Sequence, residues 1–155
     1  IMSEQSTVGS RVTSEGVEAV CREGLGVFEE LIEQHAHRPN RLERVQEAMR
    51  RYNKQWAVCL YEGVSLHLVG SKMFIRGPEG RGAVVFYREG DQIRSAVVRT
   101  GTEFELTAES FEKLARNAPN TPIEIVVDKD GMRQRYSLVG FELRDSEENQ
   151  VAIGR

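Results

Sequence analysis

Cysteine occurs only twice in these 155 residues, as Cys21 and Cys59, and neither belongs to a CxxC pair or a disulfide framework. A reducing cytoplasm is therefore the expected compartment. No apolar run approaches the roughly 18 residues of a membrane-spanning helix, and the longest, Trp56 to Tyr61, has the length of a strand. The segment Ile1 to Thr7 has neither the basic nor the apolar stretch of a secretory signal, so none is expected there. GxxxxGK[ST], GxGxxG and HExxH are all missing, so the common phosphate-loop, dinucleotide and zinc-protease motifs are absent, which weighs against an enzyme without removing that class. Neither a cofactor nor a metal is expected. Repeats, low-complexity tracts and interdomain linkers are absent too, so residues 1–155 read as a single domain with polar, mobile ends at 1–12 and 145–155.

What is present is a globular composition, 39% apolar and 29% charged. The net charge of −3 argues against general affinity for nucleic acid, but the charge is unevenly spread. Residues 1–37 carry two basic and seven acidic side chains, residues 38–99 twelve and six, and residues 100–155 seven and eleven. A central stretch of +6 thus lies between flanks of −5 and −4.

The patterning predicts an α+β fold: two N-terminal helices, an antiparallel meander of about six to eight strands that curls toward a barrel, and one helix before a C-terminal hairpin. Thr13-Ser14-Glu15 reads as an N-cap, after which Val17, Val20, Cys21, Gly24, Phe28, Leu31 and His35 fall at helical steps. His37-Arg38-Pro39 ends that first helix. Asn40 and Glu43 form a capping box for the second, whose apolar stripe is Leu42, Val45, Met49 and Tyr52. From Trp56 the spacing becomes β-type: Trp56 to Glu62, Val64 to Val69, Met73 to Arg76, Ala83 to Tyr87, Gln92 to Arg99 and Thr102 to Leu106. The intervals are too short for crossover helices, so antiparallel pairing is expected throughout. Thr107 caps a helix with Ala108, Phe111, Leu114 and Ala115 turned inward and Glu109/Lys113 and Glu112/Arg116 at supportive spacing. Asp130-Gly131 then predicts a two-residue turn between Ile123–Lys129 and Met132–Leu138.

Few residues offer chemistry. His35 and His37 are two apart, the wrong spacing for a metal pair on a helix, and read as complements to a helix C-terminus. Asp128-Lys129-Asp130-Gly131 lacks the later ligands of a calcium loop and reads as a turn. Arg135 to Gly140 resembles in part the [DN]xSxxG element of PilZ-type cyclic-dinucleotide receptors, but Arg135 stands where that family has Asp or Asn. Ser65 and His67 share one strand face, without the GxSxG elbow of a hydrolase. Arg76 and Arg81 flank a glycine-rich loop able to present backbone N–H groups and guanidinium forks to an anion. Arg50 and Arg51 add a basic helix face near Tyr52 and Trp56.

Without a catalytic constellation, the leading expectation is a non-enzymatic interaction or adaptor protein that binds a protein partner and itself, as a homodimer through the Gly24 face. One alternative is a nucleic-acid binder using Arg50, Arg51, Arg76 and Arg81 as phosphate contacts. The other is a small-molecule pocket or enzyme between sheet and helices, with Ser65, His67 and Tyr61 as its polar groups and Val64, Leu66 and Leu68 as its apolar wall. No membrane partner is expected.

Overall fold

The computed structural model describes residues 5–23, 28–36, 41–117, 123–129, 132–139, 142–145 and 150–151, with side chains at 14–15, 28–36 and 41–117. Among these residues the chain is α+β, with two helices and mostly antiparallel sheets. Strand β1 (Gln5–Thr13) pairs with β2 (Gly16–Glu23) in a hairpin. Strand β3 (Leu31–Glu33) runs parallel to β4 (Trp56–Leu60), and helix α1 (Arg41–Arg51) lies between them in sequence. Next come β5 (Ser65–Val69), β6 (Lys72–Arg76), β7 (Gly82–Glu89), β8 (Gln92–Arg99), β9 (Glu103–Phe104) and helix α2 (Ala108–Asn117). Strands β10 (Ile123–Lys129), β11 (Met132–Val139), β12 (Glu142–Asp145) and β13 (Gln150–Val151) pair in that order.

Three expectations are corrected. The first N-terminal helix is not formed: β2 and β3 occupy its span, and β1 occupies much of the expected polar end. Its three-and-four spacing coexisted with Gly16, Gly24 and Gly26, each costing about 1 kcal/mol in a helix interior, and with β-branched valines. Secondly, the meander is interrupted. The central sheet has the order β3-β4-β7-β8, and the β5–β6 hairpin leaves it to join β9 in a second sheet. Thirdly, none of the sheets closes into a barrel; each is open among the described residues. The turn at Asp130-Gly131 lies outside the described residues.

The central sheet is the core. All five residues of β4 are buried, as are Gly82 to Tyr87 of β7 and Ala96 to Val98 of β8. Trp56 and Tyr87 are register partners and stack with ring centroids 4.2 Å apart. Phe111 of α2 packs on both, at 6.0 and 5.3 Å, which places α2 over that face. Arg94, opposite Tyr87, lies over the Phe111 ring and forks onto Glu112, so Glu112 is drawn across to the sheet. Ala108, expected inward, is exposed. Helix α1 buries Leu42, Val45, Ala48 and Met49, the spacing of one face.

Both helices are stopped by local chemistry. Asn53 takes φ +52°, and the N–H groups of Asn53 and Lys54 reach the carbonyls of Arg50 and Met49, closing α1 in a Schellman motif. Arg88 of β7 fastens this end by donating to Asn53 Oδ1 and to Lys54 O. At α2 the Thr107 hydroxyl accepts the Ser110 N–H at 3.1 Å, the expected cap.

Candidate functional site

Where β4 ends, Tyr61 to Val64 turn the chain out of the central sheet. Val64 N–H donates to Tyr61 O at 3.1 Å, and Gly63 has φ +77°. Gly77 approaches so closely that a side-chain carbon there would stand 2.8 Å from Gly63 O, and Arg81 donates to Glu62 O at 3.0 Å. The exit from the core is thus clamped from behind by the loop between β6 and β7.

In front of this turn lies a cleft of about 540 Å³, walled by Ile32 of β3, Leu60 of β4, and Val64, Leu66 and Leu68 on or beside β5. That volume falls within the usual range of small-ligand sites, ~300–1,000 Å³. Its polar rim holds His35, Glu62, Gln34 and Ser65. His35 Nδ1 and Glu62 Oε2 are 2.9 Å apart, and His35 itself sits at φ +57°, outside any helix. Tyr61 lines the cleft yet is only 3% exposed, and burial pushes its phenol well above the ordinary range. It cannot act as a proton donor near neutrality.

Beside the cleft stands an open edge. Among the described residues β5 pairs with β6 on one side only, in the order β5-β6-β9. Leu66 and Leu68 oppose Ile75 and Met73, both buried, whereas Ser65, His67 and Val69 oppose Arg76, Phe74 and Lys72 on the outer face. Leu68 (38% exposed) and Val69 (65%) are the only exposed large hydrophobic residues among those described, and both are on this strand. The strand carries no charge, no proline and no bulge, the devices that usually protect an edge.

The residues singled out in the sequence do not converge. Ser65 Oγ lies 3.1 Å from His67 Nε2, but the pair is exposed and His67 points to the face opposite Leu66 and Leu68. Among the described residues no carboxylate bonds the other His67 nitrogen, so the arrangement of a catalytic triad is not built. Arg50 reaches Asp91 O at the β7–β8 turn, while Arg81 precedes the other end of β7, roughly 20 Å away at about 3.3 Å per residue. Arg51 lies over Tyr52, and the exposed side of α1 mixes Arg50 and Arg51 with Glu43 and Glu47. Arg76 rests on Phe74, and Arg81 is engaged by Glu62 O. Arg50 and Arg81 therefore do not share one patch. Gly24 and His37 lie outside the described residues, and no cluster of metal-ligating side chains occurs among the described ones.

Two features escaped sequence reading. The cleft draws Ile32, His35, Leu60 and Glu62 from segments far apart in the chain, which no local pattern announces. The second is a buried acid. Glu33 is 2% exposed and accepts from Arg41 Nη1 at 3.1 Å, while Glu33 Oε2 and Arg41 Nε have no hydrogen-bond partner among the described residues. Burial raises the Glu33 pKa to about 7 against the opposing pull of Arg41 and Arg44. Cys59, its register partner, is wholly buried and its thiol is pushed up by burial, so it is not a nucleophile. No helix among the described residues is long and apolar enough to cross a membrane. Set against known protein families and curated proteins, the chain matches none.

Proposed function

We propose that the chain is a non-enzymatic binding module that takes an extended segment of a protein partner onto β5 and seats its apolar side chains in the adjoining cleft. One observation carries this reading: among the described residues, exposed large apolar side chains are confined to one strand, β5, and that strand ends its sheet with an edge no described strand pairs. Strand addition supplies affinity through main-chain hydrogen bonds, and a pocket for alternate side chains supplies selectivity. β5 offers the first and the Ile32–Leu60–Leu66 wall the second. The test is selection from a displayed library of random linear peptides. Enrichment of segments with alternating apolar residues, whose binding is lost in Leu68→Lys, is expected. Failure to enrich any peptide, or enrichment indifferent to Leu68→Lys, contradicts the reading.

A second reading, a small apolar ligand held in the cleft, is favoured by the cleft's volume and its aliphatic wall. It predicts binding of an environment-sensitive apolar dye that Leu60→Trp, which fills the cleft from the β4 side, abolishes. In the peptide reading Leu68→Lys is the more damaging change.

A further inference from the structure

The register of the β5–β6 hairpin fixes which backbone groups of β5 are free. Val69 and Lys72 close a two-residue turn, so in antiparallel alternation Val69, His67 and Ser65 direct their N–H and C=O groups at β6. Leu66 and Leu68 direct theirs outward. A segment joining this edge must therefore meet two donors and two acceptors on residues flanking His67 symmetrically.

Resting on the reading of β5 as a binding edge, we infer that its occupant is β5 of a second copy, paired antiparallel about a two-fold axis through His67. A two-fold interface requires that residue i meet j while j meets i. Centred on His67, Leu66 faces Leu68 of the other copy and the reverse, so all four outward N–H groups meet outward C=O groups. Leucine then lies against leucine on the inner face. Ser65 and Val69 pair across the outer face, and His67 meets its own counterpart. The sequence Ser-Leu-His-Leu-Val contains no charge to be set against its like, which is what self-pairing of this strand needs. Leu66 and Leu68 also wall the cleft, so the pairing brings two apolar clefts together across the axis.

The dyad makes a register-specific test available. His67 and its counterpart form a non-hydrogen-bonded pair, with Cα atoms about 4.5 Å apart, inside the ~4.4–6.8 Å span of disulfides. Under mild oxidation the full-length chain with His67→Cys is expected to form a covalent dimer, beyond any seen in wild type with its own Cys21 and Cys59. Val69→Cys alone is expected to form none, and Ser65→Cys combined with Val69→Cys restores it. Sedimentation of the unmodified chain is expected to give twice the 17.5 kDa chain mass, and Leu68→Lys, at an exposed site, the single mass. A dimer whose His67→Cys form does not cross-link uses another surface and overturns the inference. A monomer that still selects peptides dependent on Leu68 overturns self-pairing while leaving the binding edge intact; a monomer that selects none removes both.

Discussion

β4 and β5 follow one another in the chain, each five residues long and each largely apolar, yet β4 is wholly buried whereas only Leu66 of β5 is even half-buried. The difference lies in the neighbours. β4 has β3 on one side and β7 on the other, and the sheet face bearing Trp56 is covered by Phe111 of α2. β5 has β6 and, on its outer edge, nothing among the described residues. An apolar strand is stabilising in the first setting because its surface leaves water; in the second the same surface remains available to another chain. Composition sets what a strand can bury, and topology decides whether this chain or a partner buries it.

The sharpest way to break this contrast is to cut into the covered face. Phe111→Ala removes the ring that packs on Trp56 and Tyr87 and is expected to cost about 3–5 kcal/mol in urea unfolding. Leu68→Lys on β5, compared with wild type in chain dilute enough to be monomeric, is expected to stay within about 0.5 kcal/mol of it, since the site is then an exposed edge. Comparable losses at the two positions would mean that β5 is part of the core.

A somewhat smaller effect is expected from the acid beneath α1. The Glu33 carboxyl has a pKa of about 7 in the folded chain against an ordinary value of 4.5, so the folded form binds its proton more tightly than the unfolded one. The stabilisation linked to that proton is full below pH 4.5 and is lost as pH rises through 7, a change on the order of 3 kcal/mol. Glu33→Gln cannot take part, so the stability difference between wild type and this variant is expected to shift against wild type from pH 4.5 to 7. A pH-independent difference contradicts the assignment. Binding at β5, by contrast, is expected to be indifferent to Glu33→Gln.

The helix boundaries give the smallest effects. Asn53→Ala places an ordinary side chain at positive φ and removes the Arg88 contact, for an expected loss of about 1–2 kcal/mol, whereas Asn53→Gly retains most of the stability. Thr107→Ala is expected to cost about 1 kcal/mol through the lost cap. Thermal unfolding ranks these against one another.

How far the sequence could be read follows from the same physics. The strands from Trp56 to Phe104 and the helices at Arg41–Arg51 and Ala108–Asn117 were legible within a few residues, because glycines and a threonine cap punctuate clean periodicities. Residues 13–37 misled, since Val17, Val20 and Cys21 satisfy helical spacing while the glycines among them oppose a helix. The parallel β3–β4 pair was out of reach, as it depends on a chain reversal through α1. At the site, Val64, Leu66 and Leu68 were legible as one apolar group, and they line the cleft. The opposite wall was not, because Ile32 and Leu60 become neighbours only after folding. The arginines attracted attention by charge alone, and folding sets Arg50 and Arg81 at opposite ends of β7.

The central claim, that β5 is a binding edge, is tested most directly by residue-resolved amide hydrogen exchange along β5, followed with increasing chain concentration and with added selected peptide. Ser65, His67 and Val69 bond to β6 and are expected to be protected throughout. Leu66 and Leu68 are expected to exchange quickly in dilute chain and to become protected when the edge is occupied. Rapid exchange at Leu66 and Leu68 under every condition, or protection of both in dilute monomer, contradicts it.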